Sequence, residues 1–510
     1  MPHALLWLLA LAAAHVAVRV ALSPSLKWDE AEQILWSQQL ALGYGAQPPL
    51  YTWLQWGVNQ LLGPGVPALA LLKQALLTLA YVLMYLAGRE LLGPRGAWWA
   101  AAGMLLLPPL GWYSVRDQTH TVLVTTLACA AWWLLLRCVR RPRPAAFAAL
   151  GLACGLGLLA KSNCALVLAA RALAALATPQ ARRALLSRGW WLAPLVCVLV
   201  CLPHAAWLLE HAPQASASTL QRMQLDAVPR WQGLRSLVAG LLGTLGLWAL
   251  VALWAFGRSW RSAPLPQARA WAPQLIARYL ALVLLALLGM VLAAGVTSFK
   301  SRWLLPLLCV APLAAFAARP ALQTHPRGGR YTALVVALAL LILLAASLRP
   351  WLNGRRGHTD GLNHPTAQLA AALRAAGYDG RGHIIAADPM LAASLHLFFP
   401  QAPAAACWPS ELTDEAAAAA QAAPSAAGAA AASPIPACVA GHMAEAARAG
   451  RGWLLVSRDG NLRPDWWAQA TASAPGQAVH DIRLPYLRMR PHAPPAHYQY
   501  AWQPPASVRP

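Results

Sequence analysis

The dominant pattern along this chain is a series of long apolar runs separated by short polar segments, and it stops near residue 348. Runs of about 18–25 apolar residues match the thickness of a lipid bilayer, so each predicts a membrane-spanning helix. Eleven spans are predicted, at 4–22, 66–88, 96–112, 119–137, 145–160, 162–178, 190–210, 236–256, 273–297, 303–318 and 331–348. The 145–178 stretch also fits a re-entrant hairpin, and 39–62 fits an amphipathic helix lying on the membrane surface.

The pattern changes after residue 349. The polar segment 351–357 reads as a linker, and the residues after it contain no run of membrane-spanning length. Residues 383–388 and 453–457 read as buried strands. Residues 366–376 and the alanine-rich 412–432 read as helices. The sequence therefore predicts a membrane domain over 1–348 and a small α/β domain over 349–510.

Composition and charge support this division. Apolar residues make up 58% of the 510 residues and charged residues only 11%, well below the roughly 25% of an average globular chain. The net charge of +23 comes mostly from arginines in short connections between apolar runs. The positive-inside rule explains this distribution better than nucleic-acid binding, which we do not expect. The same asymmetry predicts a cytoplasmic amino terminus, with 4–22 retained as a helix, and a carboxy-terminal domain outside.

Charges at the predicted outer boundary are the first candidates for chemistry. Only seven of the 17 acids precede residue 349, and the pair Asp29-Glu30 follows the first span directly. With this topology, Asp117, Lys161, Lys300 and Arg302 fall at the same level. Charged residues beside spans are costly, so they are kept where they meet a ligand, water or one another. The chain has four lysines against 36 arginines, which favours Lys161 and Lys300 as specific, compact cations for a phosphate.

Each of these residues also has a purely structural interpretation. Asp29 could pair with Lys27, and Asp117 could pair with Arg116 in a solvated loop. Lys161 could be a polar break between two helices. Lys300 and Arg302 could be interfacial anchors that extend to lipid headgroups. Glu32 and His120 fit structural roles better than chemical ones.

Four segments carry a resemblance to a known family. The run 28–44 (WDEAEQILWSQQLALGY), followed by Pro48-Pro49-Leu50, resembles the first outer loop of bacterial family 39 glycosyltransferases. These are relatives of protein O-mannosyltransferases and of the lipid A aminoarabinose transferase, and they have a GT-C fold. Segments 116–119, 157–162 and 299–306 are also similar to this family. The resemblance covers roughly residues 1–320.

The resemblance implies a role for each matching residue. Asp29 would be the catalytic base or the acid that orients the acceptor, with Glu30 beside it and Asp117 as a second outer-loop acid. The donor phosphate would face four cations: Lys161, Lys300, Arg302 and Arg116. Gln47, Tyr51 and His120 are expected to line the substrate pocket. Many members of the family carry His or Lys at the position of Gln47, so phosphate contact here would depend on other residues.

The expected protein is thus an α-helical polytopic membrane protein of GT-C type, with about 11 transmembrane helices. It would be an inverting glycosyltransferase of the bacterial inner membrane. A sugar would pass from a polyprenyl-phosphate donor to a glycan, lipid or protein acceptor on the periplasmic side. Alternatives are a secondary transporter, a polymerase or ligase of lipid-linked glycans, and a non-catalytic scaffold. A transporter would usually show repeated halves and charges near the midplane.

Cysteine usage and metal motifs add little. Seven of the nine cysteines lie in or near the spans, where they serve as small apolar residues. Cys407 and Cys438 are the two in the outer domain, and a disulfide between them would fit an oxidising compartment. The sequence shows no CxxC or paired histidines at metal-ligand spacing and no Asp-x-Asp motif, so we predict no metal and no cofactor.

Overall fold

The structure is a computed structural model. It describes residues 2–45, 47–211, 229–261, 270–407, 434–458, 465–471 and 476–505. The chain divides into two compact units, which are described separately. The helical unit comprises Met1–Val16, Ala41–Leu54 and Leu71–Ala345. The mixed unit comprises Ala17–Leu40, Gln55–Ala70 and Ala346–Pro510.

Helices account for most of the described chain. In order they are α1 (Pro2–Leu22), α2 (Trp28–Trp36), α3 (Leu50–Leu62), α4 (Val66–Arg89), α5 (Pro94–Gly103), α6 (His120–Arg140), α7 (Pro144–Ala160), α8 (Cys164–Ala177), α9 (Pro179–Leu185), α10 (Leu192–Glu210), α11 (Arg230–Phe256), α12 (Trp271–Leu292), α13 (Ser301–Leu308), α14 (Ala311–Ala318), α15 (Gly328–Arg355), α16 (Thr366–Ala375), α17 (Pro389–Phe398), α18 (Pro434–Arg448) and α19 (Trp466–Thr471). The predicted surface helix 39–62 corresponds to α3, which begins only after Pro48 and Pro49.

Eight helical segments in the described residues are long and apolar enough to cross a membrane. They are α1, α4, α6, α10, α11, α12, the α13–α14 pair and α15. The pair α8–α9, bent by 106° at Thr178, would be a ninth. Two of the eleven predicted spans differ: α7 has only 17 residues, and the 96–112 run is broken. Its helix α5 ends at Gly103, and Pro108 and Pro109 lack the backbone donors to continue it.

Close helix packing in the helical unit depends on glycines of α7. A Cβ at Gly151 would lie 2.2 Å from the carbonyl oxygen of Ala193, and one at Gly155 would lie 3.0 Å from that of Cys197. Both carbonyls belong to α10. Small residues at such contacts let two backbones approach closely, which is how helices associate in lipid. Helix α7 therefore packs closely against α10 because it has no side chains at these two positions.

The mixed unit is built on a five-stranded sheet. Its strands are β1 (His383–Ala386), β2 (Ala404–Ala406), β3 (Trp453–Arg458), β4 (His480–Leu484) and β5 (Ala496–Gln503), in the order β2-β1-β3-β5-β4. Strands β2, β1 and β3 are parallel, whereas β3, β5 and β4 pair antiparallel. The two predicted strands are confirmed as β1 and β3, and the predicted 366–376 helix as α16. The predicted 412–432 helix lies outside the described residues.

Two apolar clusters cover the sheet. One joins α16 and α17 to β1, β3 and β5 through residues such as Leu369, Leu395 and Tyr498. The other includes Ile385, Leu455 and Trp466. Beside the second cluster, Cys407 and Cys438 form a disulfide with their Cα atoms 5.7 Å apart. The disulfide considered from the sequence is confirmed.

The mixed unit also includes two amino-terminal stretches, 17–40 and 55–70. Helix α2 is amphipathic and buries Ala31 and Ile34 in a small cluster with Leu26, Leu69 and Ala393 of α17. The amide of Leu26 donates to the Ser394 hydroxyl at 3.2 Å. The acid-bearing segment therefore packs against α17, the helix that also packs against the sheet.

Candidate functional site

Asp29 and Glu30 lie in the first turn of α2, where their negative charges interact favourably with the positive end of the helix dipole. Lys27 is the N-cap residue, and its amide donates to the Glu30 carboxylate at 3.1 Å. Glu30 thus performs part of a capping box, a role that needs no substrate. The two acids differ in exposure: Glu30 is 1% exposed, whereas Asp29 is half-buried.

Arg19 holds the Glu30 carboxylate in a two-pronged ion pair. Its Nε donates to Oε1 at 3.0 Å and its Nη2 donates to Oε2 at 2.6 Å. The same guanidinium donates to the carbonyl oxygens of Ser23 and Ser25, at 2.8 and 2.9 Å. This fork geometry is specific to arginine. The half-buried Arg19 side chain therefore orders the whole turn that leads from α1 into α2.

Arg19 is a residue that the sequence interpretation missed. It lies inside the predicted span 4–22, so the apolar pattern absorbed it. One feature of the sequence could have identified Arg19: it is a single charge in the last turn of an otherwise uncharged span. Such charges need a partner close by. Glu30 is that partner.

Lys27 takes part in a second ion-pair network. Its Nζ lies 3.6 Å from Oδ1 of Asp360, and Arg349 lies 3.9 Å from the other oxygen. Asn353 donates to the same carboxylate at 3.2 Å. Burial would raise the pKa of Asp360, but Lys27, the Leu362 amide and Arg349 outweigh it and hold the pKa below its usual value. Lys27 is thus paired with Asp360, an acid that the sequence did not single out.

In the helical unit, three of the predicted site residues come together. The Tyr51 and His120 rings lie 5.4 Å apart, and both side chains are buried. Nδ1 of His120 lies 3.3 Å from the carbonyl oxygen of Ala160, and Lys161 follows that residue directly. The Lys161 ammonium donates to the Thr121 hydroxyl at 2.9 Å. Tyr51, His120, Thr121 and Lys161 form what we call the lysine cluster.

The position of Lys161 follows from a break between α7 and α8. Its backbone is extended (φ −166°, ψ 138°), so the lysine leaves the axis of α7. Two residues later, Asn163 donates its side-chain amide to the carbonyl oxygen of Trp303 at 3.1 Å. Trp303 lies in the first turn of α13, next to Lys300 and Arg302, which are both half-buried. The segments that carry three of the four predicted phosphate-binding cations, Lys161, Lys300 and Arg302, are thereby joined.

Arg116 and Asp117 end a short helical turn before α6. The Arg116 guanidinium lies 5.2 Å from the centre of the Trp112 ring, a cation–π contact. Its buried Nε makes no hydrogen bond to any residue in the described ranges. Asp117 is half-buried, and its amide donates to the Tyr113 carbonyl at 3.0 Å. The Trp112 ring therefore helps to hold the Arg116 side chain in position.

Gln47 is held in a tight backbone turn. Its amide and carbonyl exchange two hydrogen bonds with Tyr44, at 3.1 and 3.2 Å. Gly45, between them, has φ +59°, a conformation that favours glycine. Pro48 and Pro49 follow, and α3 begins at Leu50. The turn therefore fixes the direction in which α3 starts and places Tyr51 in its first turn.

Comparisons with known proteins identify the chain's relatives. Residues 46–207 match the dolichyl-phosphate-mannose-protein mannosyltransferase family. The chain is 32% identical to the lipopolysaccharide core galacturonosyltransferase RgtB of Rhizobium johnstonii, over 78% of this chain and 82% of RgtB. It is 31% identical to RgtA of the same organism, another lipopolysaccharide core galacturonosyltransferase, over 76% of this chain and 79% of RgtA.

Among solved structures, ArnT from Cupriavidus metallidurans in the apo state shares the fold, with a TM-score of 0.59 over 97% of each chain at 14% identity. The helical membrane architecture and the family predicted from the residues are both confirmed. The protein is a multi-pass protein of the bacterial inner membrane. The chain belongs to the family 39-like GT-C membrane glycosyltransferases, enzymes that take sugars from lipid-linked donors.

Proposed function

We propose that this chain transfers galacturonic acid from a polyprenyl phosphate to the core region of lipopolysaccharide. The observation that carries the proposal is the similarity to RgtB, which extends over 82% of that protein. RgtA supports the same acceptor and the same sugar. The lipid-phosphate donor agrees with the family matched by residues 46–207, whose name specifies a dolichyl-phosphate sugar.

We propose that Asp29 is the general base that accepts the proton of the acceptor hydroxyl. In an inverting transfer, an acceptor hydroxyl attacks the anomeric carbon, a new glycosidic C–O bond forms, and the bond from that carbon to the lipid phosphate breaks. The proton of the hydroxyl passes to the base, and the polyprenyl phosphate leaves with the bonding electrons. Asp29 suits this role better than Glu30, because Asp29 is half-buried, whereas the almost fully buried Glu30 carboxylate is held by Arg19 and the helix cap.

The leaving phosphate gains negative charge in the transition state, and fixed cations stabilise that charge. We assign this task to Lys161, Lys300 and Arg302, which lie on the segments joined by Asn163 and Trp303. Arg116, held against Trp112, would bind an anionic group of the donor. The lipid-linked sugar is already activated, so the proposed reaction requires no cofactor. We place the reaction on the periplasmic side, with the amino terminus in the cytoplasm, as the charge asymmetry predicts.

The test is a transfer assay with purified protein, polyprenyl-phosphate-galacturonic acid and a lipopolysaccharide lacking core galacturonic acid. Asp29→Asn should lower kcat by about 10²- to 10⁴-fold, the usual contribution of a general base. Glu210→Gln, which changes an exposed acid at the end of α10, is the matched control and should retain full activity. Unchanged transfer by Asp29→Asn would overturn the role of Asp29. Transfer of a neutral sugar in preference to galacturonic acid would overturn the substrate assignment but not the family.

A further inference from the structure

We infer that the mixed unit contains a binding site for a divalent transition metal such as Zn²⁺, formed by His383, His442 and Glu445. One ligand atom from each of these residues lies within 4.8 Å of the other two. The site belongs to the carboxy-terminal part of the chain and is separate from the residues assigned to glycosyl transfer above.

The three residues come from two elements that pack together. His383 is the first residue of β1, and its amide is fixed by the Gly452 carbonyl at 2.8 Å. His442 and Glu445 lie one turn apart on α18, so they project from the same face of that helix. The two imidazole rings have their centres 5.2 Å apart. A strand and a helix therefore present a convergent set of nitrogen and oxygen ligands.

The state of the His442 ring is the second observation. Its Nδ1 is buried and makes no hydrogen bond to any described residue, although the Glu445 carboxylate lies 3.4 Å away. Buried polar atoms are nearly always hydrogen-bonded, so an imidazole nitrogen in this condition requires an explanation. A metal ion between the ring and the carboxylate would provide one.

The geometry suits four-coordinate zinc with one open position. Two histidines and a glutamate form a known zinc ligand set, with water as the fourth ligand. Ligand atoms around tetrahedral zinc lie about 3.4 Å apart, given Zn–N and Zn–O distances of about 2.0–2.1 Å. Because no two of these ligand atoms are more than 4.8 Å apart, none has to approach another by more than about 1.4 Å. The Glu445 carboxylate already lies 3.4 Å from the His442 ring, and its side chain is 58% exposed, so it is free to rotate.

The neighbouring disulfide limits the alternatives. Cys438 lies one turn before His442, and Cys407, Cys438 and His442 also have ligand atoms close together. While the two sulfurs are bonded to each other, neither is a thiolate, and the thiolate is the form that ligates metals. In an oxidising compartment the histidine–glutamate set is therefore the one available. A bound ion would link α18 to the first residue of β1, close to the disulfide.

The experiment uses the full chain in detergent, with the disulfide intact and metals removed by a chelator. Zinc affinity is measured by competition with a chromophoric chelator, and stoichiometry by elemental analysis after gel filtration. We expect one equivalent of Zn²⁺. His442→Ala and Glu445→Gln should each weaken binding by more than about 100-fold, because the loss of a mere outer-shell partner already costs 10- to 100-fold. His492→Ala, an exposed histidine of the same unit, should bind like the wild type.

Glu445→Gln changes an exposed side chain, so the test does not depend on whether the histidine variants fold. Cobalt substitution identifies the ligands, since thiolates give a sulfur-to-cobalt charge-transfer band and the proposed set does not. Equal zinc binding by the wild type and all variants would overturn the inference. Binding that appears only after reduction, with the sulfur band, would assign the metal to the cysteines and would also overturn it.

Discussion

Two charged groups, the Glu30 carboxylate in the mixed unit and the Lys161 ammonium in the helical unit, are held in different ways. Glu30 is bound by a guanidinium of opposite charge and is almost fully buried. The bonds of Lys161 include one to a neutral hydroxyl, that of Thr121. A hydroxyl orients an ammonium group without cancelling its charge. We expect from the comparison that changing Glu30 or its partner affects stability, whereas changing Lys161 affects the proposed reaction.

Breaking the Arg19–Glu30 pair should have the largest effect. Arg19→Ala leaves a buried carboxylate without its guanidinium, which typically costs about 3–5 kcal/mol. Thermal unfolding of the purified protein in detergent would measure the loss of stability. The double variant Arg19→Met/Glu30→Met should recover much of it, because no uncompensated charge is left. If Arg19→Ala instead keeps full stability and loses only activity, Glu30 has a chemical role and the comparison fails.

Removing the cation of the lysine cluster should affect the reaction and spare the fold. Lys161→Met should lower kcat by about 10²- to 10³-fold, the usual effect of losing one group that stabilises transition-state charge. Unfolding temperature should change little. Arg183→Met, an exposed cation at the end of α9, is the matched control. A variant with normal kcat would show that Lys161 merely terminates α7.

Removing the hydroxyl that orients Lys161 should have a smaller effect. Thr121→Val preserves shape and deletes one hydrogen bond, worth about 0.5–1.5 kcal/mol. If the bond serves only to position Lys161, the transition state loses that stabilisation. We then expect kcat to fall about 2- to 12-fold, with KM nearly unchanged. Thr121→Ser, which restores the hydroxyl, should recover the rate. Failure of the serine variant to recover it would attribute the loss to packing.

The smallest expected effect is the contribution of the Lys27–Asp360 ion pair to stability, and its loss is seen only at acidic pH. The folded state lowers the pKa of Asp360, so ionised Asp360 contributes stability at pH values above its unfolded pKa of about 3.9. That contribution disappears as pH falls through the lower folded pKa. Comparing the unfolding temperatures of wild type and Asp360→Asn from pH 6 to pH 3 would measure it. The two curves should converge towards acid, and parallel curves would show that Asp360 contributes nothing through its charge.

The sequence predicts the architecture well because its signals are local. Apolar run length identifies most of the spans, and short buried apolar runs identify β1 and β3. The exceptions are also physical: consecutive prolines break the 96–112 run, and α7 begins at Pro144 and ends where the backbone of Lys161 becomes extended. Neither cause can be seen in mean hydropathy.

The candidate site is predicted only in part, because partners are not local. Lys161 and His120 are evident from the sequence, yet Thr121 is indistinguishable from any threonine near a helix start until the fold brings Lys161 to it. Asp360 is more than 300 residues from Lys27, and Arg19 is hidden inside a span. Residue type indicates which side chains can do chemistry. Which of them are already engaged in structure depends on tertiary contacts.

The disulfide has a consequence for how the chain tolerates cleavage. Cys407 and Cys438 enclose the residues between them in a covalent ring. A protease that cuts once inside that ring does not release the carboxy-terminal strands, since β3, β4 and β5 stay linked to β1 and β2 through the sulfur bridge. The fragments would separate only on a reducing gel. The five strands thus stay covalently joined after any single cut between Cys407 and Cys438.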